Sequence, residues 1–200
     1  MQNSIQPHKH DAEELTFLYD FVSECPNPQI SASLRKVVAK WLNQPSKAPQ
    51  LSMAIRNKLG LTDAQLVEVA WLLAINPHTP PSVLQDLCTE GSPELLERIA
   101  ENRHSWPSTL ACLSYQALAE IRIAAAGNPN TPLASIMIMV KDENPDVRFS
   151  MAEDANLPED ALNILAADDN PFVKLRAENT LQRIDIEKKL KLVESENTLQ

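Results

Sequence analysis

The side chains best suited to chemistry in this chain are few and widely spaced. Histidine occurs at His8, His10, His78 and His104, and cysteine at Cys25, Cys88 and Cys112. His8 and His10 stand beside Asp11 in a polar head segment; such a cluster can hold a stray divalent ion but reads as a solvated tail. His78 and His104 fall at turn positions of adjacent units, where turn polarity accounts for them. Cys88 shares a column with Ser114, Val140 and Ala166, which predicts a small core residue. Cys112 aligns with Asp86, Ile138 and Ile164, a column of mixed character. No nucleophile elbow, metalloprotease helix or Walker loop occurs, and three glycines leave little material for a phosphate cradle. Catalytic, cofactor and metal sites are therefore not expected.

Composition narrows the remaining classes. Apolar residues make up 44% of the 200 residues and charged residues 22%, and no apolar run approaches the roughly 20 residues of a bilayer span. The opening stretch MQNSIQPHKHDAEE has no apolar secretory core, and three distant cysteines form no disulfide framework, so a cytoplasmic location is expected. Fifteen prolines against three glycines favour helices, which tolerate proline in their first turn. The formal charge of −9 disfavours nucleic acid. It is also unevenly spread: residues 1–62 carry a net +2, residues 63–116 a net −5 and residues 117–170 a net −7.

The elements that position these side chains follow from an internal repeat of 26 residues. Pro93, Ala119, Pro145 and Pro171 keep this step, as do Ala74, Ala100, Ala126 and Ala152. Asn76, Asn102, Asn128 and Asp154 form a polar column, read as turn residues whose side-chain oxygens accept backbone N–H groups. Leu84, Leu110, Ile136 and Leu162 repeat, followed by Leu87, Leu113, Met139 and Leu165. Each unit reads as two short helices. In residues 144–170, Asn144 caps the first helix with Pro145 at its first position, and Val147, Met151 and Ala152 form its buried stripe. Pro158 starts the second, with Ala161, Leu162, Leu165 and Ala166 as its apolar face. So short a pair cannot bury its own apolar surface, and stacking on its neighbours stabilises it. The expected fold is all-α: an α-solenoid, or superhelix, of about five short helical-pair repeats with capping helices.

The turns INPHTP (Ile75 to Pro80) and GNPNTP (Gly127 to Pro132), a weaker copy in EDANLP (Glu153 to Pro158), and the following VLQDL and ALNIL resemble the leucine-rich repeat variant family of bacteria. That family is HEAT-like in style, and the HEAT D-V-R turn is echoed by Asp146, Val147 and Arg148. The resemblance covers residues 67–182 and implies helical repeats in which the second helix is often 3₁₀-like. The step of 26 residues is longer than the family's usual one and leaves room for a true α-helix. Some members carry an iron–sulfur cluster in a cysteine-rich N-terminal segment; Cys25 alone does not match that ligand set, so no cluster is carried over.

Four segments follow. Residues 1–10 are a polar tail. Residues 11–62 form an N-terminal cap helix, with Leu15, Leu18 and Val22 on one stripe and Phe17 and Phe21 beside it, then a degenerate first repeat with helices over Ile30 to Leu42 and Leu51 to Leu59, closed by Gly60. Residues 63–182 hold the regular repeats, opened by a capping box at Thr62 and Gln65. Residues 183–200 end a helix running from Pro171 to about Val193 and fray thereafter. Arg122, Arg148 and Lys174 form a basic column near Glu120 and Asp146, read as a solvated edge.

An apolar excess on the second helices carries the functional expectation. Leu133 and Met137 stand where the next unit has Glu159 and Asn163; Cys112, Tyr115, Ile138 and Ile164 lie in neighbouring places. Exposed together, they would form a docking patch for a basic or apolar segment of another protein. The sequence thus predicts a non-enzymatic scaffold without cofactor, nucleic acid or membrane partner. Its rivals are a HEAT-like nucleic-acid-handling protein, which needs a basic stripe, and an accessory subunit of a cofactor-handling enzyme, which needs a deep pocket.

Overall fold

The computed structural model describes Phe17, residues 20–22, Glu24, Cys25, Pro28, Ile30, Ala32, residues 62–89 and residues 91–197, with side chains to Leu192. The expected tail with His8 and His10, Leu15 and Leu18, the segment 33–61 with Gly60, and the last three residues lie outside this set. Among the described residues every regular element is an α-helix and no strand occurs. Phe17, Phe21 and Val22 of the expected cap helix are helical and buried, the two rings stacked at 6.0 Å. From Asp63 onward the described residues form nine helices: α1 (Asp63–Ile75), α2 (Pro81–Leu87), α3 (Pro93–Glu101), α4 (Pro107–Leu113), α5 (Ala119–Ala126), α6 (Leu133–Met139), α7 (Pro145–Glu153), α8 (Glu159–Ala166) and α9 (Pro171–Asn197).

The sequence signals start them where expected. Thr62 accepts the Gln65 N–H while the Gln65 side chain accepts the Thr62 N–H, a reciprocal cap that opens α1. Pro93, Ala119, Pro145 and Pro171 occupy the first positions of α3, α5, α7 and α9. Ser92 and Asn144 cap α3 and α7 through side-chain oxygens. The second helices are true α-helices, and Pro132 and Pro158 sit just ahead of α6 and α8 as N-caps. Helices α2 to α8 have only seven to nine residues, well below the length of about 12 that is marginal for an isolated helix, so packing must hold them.

The chain divides into two compact units, Met1–Trp106 and Pro107–Gln200. In the first, α1 packs on α2 and on α3. In the second, α5 packs on α7 and α7 on α9, so first helices of successive repeats adjoin; α5 also meets α4 and α6, and α8 bridges α7 and α9. The second unit's core unites the columns read from the sequence: Ala126 and Ala152, Ile136 and Leu162, Met139 and Leu165, with Val147, Met151, Val173 and Ala177. Leu84 and Leu110 are likewise fully buried.

Three polar columns fix the turns. Asn76, Asn102, Asn128 and Asp154 each accept the backbone N–H two residues on, at 2.8–3.0 Å. Asn102 also reaches back one repeat, its amide donating to the carbonyls of Ala74 and Asn76 at 2.7 and 2.9 Å. Thr180, next in that column after Asp154, donates to the Ala152 carbonyl at 2.7 Å. Thr79, Ser105 and Thr131 each return a hydroxyl to the carbonyl six residues earlier, those of Leu73, Ile99 and Ala125. Such bonds satisfy carbonyls that a helix end leaves open. The third column holds Arg122 and Arg148.

Candidate interaction surface

Lys174 is exposed, but Arg122 and Arg148 are not the solvated edge that the local sequence suggests. Arg122 on α5 is buried, and its Nε and Nη2 donate to Asp142 Oδ2 and Oδ1 at 2.7 and 2.8 Å. Its Nη1 donates to the carbonyls of Gln116 and Ala117 at 2.7 and 2.9 Å. One repeat later, Arg148 on α7 bonds Asp168 in the same forked way, at 2.7 and 3.1 Å, and its Nη1 reaches the Asp142 carbonyl at 2.5 Å. Glu120 and Asp146, the acidic neighbours in sequence, are not the partners; each arginine selects the aspartate 20 residues on, in the turn after the next second helix. Both aspartates are about 8% exposed, so these are shielded bidentate pairs.

Each rung also sets the next repeat. Asp142 Oδ1 accepts the Asn144 N–H at 2.9 Å, and Asn144 in turn caps α7 through the Asp146 N–H at 2.7 Å. Asp168 and Asn170 repeat the relay toward Phe172 at the head of α9. The arginine bond and then the Asn170 N–H hold the Asp168 carboxyl below its ordinary range against the opposing effect of burial. For Asp142 burial is the largest single influence and pushes upward, but the Arg122 bond, the Asn144 N–H and the charges of Arg122 and Arg148 together outweigh it and leave the group low. The same bonds raise both guanidinium groups above their usual range.

The Arg148–Asp168 rung, with Asp142, forms one wall of a shallow cleft of about 360 Å³. Val140, Ile164 and Ala167 line it with apolar surface, Asp142, Arg148 and Asp168 form the polar side, and Lys141 and Asp169 stand exposed beside it. The residues of the predicted patch fall on α4, α6 and α8 or, for Tyr115, just beyond α4. Leu133 is 58% exposed, Ile138 48% and Tyr115 66%. Cys112 is exposed as well, and Ile164 is half-buried against the core. Met137 differs from the outward placement expected of it: it too is half-buried and packs on the core, because it lies at the edge of the α6 stripe formed by Ser135, Ile136, Met139 and Val140, all buried. Glu159 and Asn163, in the corresponding columns of α8, are exposed, Glu159 pairing with Lys188 of α9.

The other candidates, His78, His104 and Cys88, belong to the first unit. His78 and His104 are exposed, and their backbone N–H groups donate the turn bonds to Asn76 and Asn102. Cys88 is half-buried and forms the C-cap of α2. Among the described residues no cluster of three or more His, Cys, Asp or Glu could hold a metal ion, and no helix is long and apolar enough to cross a membrane. The Arg–Asp rungs were hidden from sequence reasoning that paired near neighbours; the available signal was two arginines and two aspartates each 26 residues apart at a constant offset of 20. No family model matches the chain, and neither the curated proteins nor the solved structures yield a match.

Proposed function

We propose that the chain acts by binding another protein rather than by catalysis, as a repeat scaffold of the solenoid type whose docking surface is the second-helix edge of residues 107–170. The observation that carries this reading is the pair of large exposed aliphatic side chains of α6, Leu133 and Ile138, in a unit where Met137 and Ile164 are half-buried and a cleft is lined in part by Val140, Ile164 and Ala167. Isolated exposed leucines are ordinary, but Leu133 stands where the next unit has Glu159, and Ile138 adds a second large aliphatic side chain in a column it shares with Asp86, Cys112 and Ile164. The surrounding net −7 favours a partner segment that combines apolar side chains with basic ones. A nucleic-acid reading has less support, since Arg122 and Arg148, which could have met phosphates, are engaged by buried carboxylates.

The test is site-specific photo-cross-linking in the cells from which the chain derives, with a benzophenone side chain placed at Leu133, at Ile138, or at the control position Asn163. The expected outcome is one protein adduct shared by the first two positions and missing from the third. Adducts of equal yield at all three, or none at Leu133 and Ile138, would defeat the proposal.

A further inference from the structure

Helix α9 has two apolar faces, and the chain's own core explains only one of them. Val173, Ala177 and Thr180 are buried, with Leu181 and Ile184 half-buried beside them, against α7 and α8. At 100° per residue these five positions share one side of the helix. The opposite side carries Phe172, Leu175, Ile186 and Leu190, exposed by 72, 57, 50 and 59%. Asn179 and Gln182, also exposed, complete this second stripe. It runs over 18 residues from 172 to 190, a rise of about 27 Å. Its spacing of three and four residues places Phe172, Asn179 and Ile186 at one heptad position and Leu175, Gln182 and Lys189 at the other, a short seam of mixed apolar and polar positions, with Leu190 beside it in the column of Arg176 and Arg183.

The charges that border the stripe name its occupant. Arg176 and Arg183 line one edge, and Glu178 and Asp185 line the other, all four exposed; within the chain Arg176 pairs with Glu153, Arg183 reaches the Glu153 carbonyl and Asp185 pairs with Lys189, exposed contacts that an interchain pairing would exchange. Two copies of this helix laid parallel and in register bring the basic edge of each against the acidic edge of its mate, with Glu178 facing Arg183 of the second copy one heptad on. An antiparallel pair would instead set arginine edge on arginine edge and carboxylate edge on carboxylate edge. The parallel arrangement also stacks Phe172, Leu175 and Ile186 on their own copies. It sets Asn179 against Asn179, the kind of polar pair at a seam that fixes register and orientation. The geometry points to a second copy of this chain as the partner of α9's outer face, in a parallel two-fold dimer. This assignment stands independently of the surface proposed above, which lies on α6 and its neighbours.

Sedimentation equilibrium of the full chain, from about 1 to about 300 μM, reads the outcome, a range suited to the micromolar affinity of so short a seam. The mass is expected to rise from 22.3 kDa toward twice that value. A chain that stays monomeric at the highest concentration overturns the inference. Leu175→Glu with Ile186→Glu should keep the far-ultraviolet dichroism and melting temperature while weakening the dimer at least ~100-fold; an undiminished dimer overturns it. Because both edits sit on one helix, a second pair of variants guards against misfolding. Glu178→Lys should weaken association, and Glu178→Lys with Arg183→Glu should restore it; failure of the rescue counts against the assigned edges. Asn179→Cys should give an intermolecular disulfide joining the two copies at position 179, and a dimer that forms without this bond contradicts the parallel register.

Discussion

Replacing Arg148 by methionine is expected to destabilise the second unit by about 3–5 kcal/mol at neutral pH, the usual cost of stranding one member of a shielded ion pair. Asp168 would keep its charge in a site where its side chain is 8% exposed, having lost both guanidinium bonds, and the Asp142 carbonyl would lose its donor. Adding Asp168→Leu should recover most of the loss, because desolvation of the orphaned carboxylate and not the pair's net attraction dominates it. The sign with pH follows from the depressed carboxyl groups. A carboxyl whose folded-state pKa lies below its unfolded value stabilises the fold at pH above the unfolded range and ceases to do so as pH falls through the folded value. The wild-type chain should therefore lose stability on acidification below the ordinary carboxylate range. The Arg148→Met deficit should shrink over the same window, as Asp168 takes up a proton. Urea unfolding of wild type and variant across neutral to strongly acidic pH checks this; a deficit that is small at neutral pH or that grows on acidification would mean that the rung does not carry the joint between repeats.

Truncating Leu162 to alanine is expected to cost about 2–5 kcal/mol, since this side chain is fully buried among Ile136, Leu165 and Val173 and the short helices around it cannot collapse without losing their own packing. Leu110→Ala and Ile136→Ala, in the same column, should fall in that range or slightly below, Ile136 being 6% exposed. Asn163→Ala, one residue away on the exposed side of α8, should change stability by less than about 0.5 kcal/mol. Equal effects at 162 and 163 would refute the assigned inward face.

The register made some features legible at once and others not at all. Pro93, Pro145 and Pro171 mark helix starts because a residue without an N–H fits where that N–H would have no partner, and this is a local rule needing no tertiary knowledge. The buried alanine and leucine columns were legible for a related reason: four copies of one pattern average away the ambiguity of any single helix. The Arg–Asp rungs were missed because their partners are separated by a turn, a helix and another turn, and local pairing rules reward Glu120 and Asp146 instead. Met137 reads as outward because its column holds Asn163 in the following unit, whereas in the fold it packs at the edge of the core. The outer stripe of α9 is not legible in linear sequence because its apolar residues are scattered among charged ones and converge only when wound at 100° per residue.

The central claim is that Leu133 and Ile138 form a contact surface and not a fragment of core. Its most direct measurement is calorimetric titration of the protein cross-linked at Leu133 against wild type and against Leu133→Glu with Ile138→Asp, residue types found in those columns of other repeats. The account predicts an unchanged melting temperature, because both side chains are about half exposed or more, together with affinity weakened by about 2 kcal/mol, roughly 30-fold, or more. Unchanged affinity in a variant that melts with wild type would contradict it.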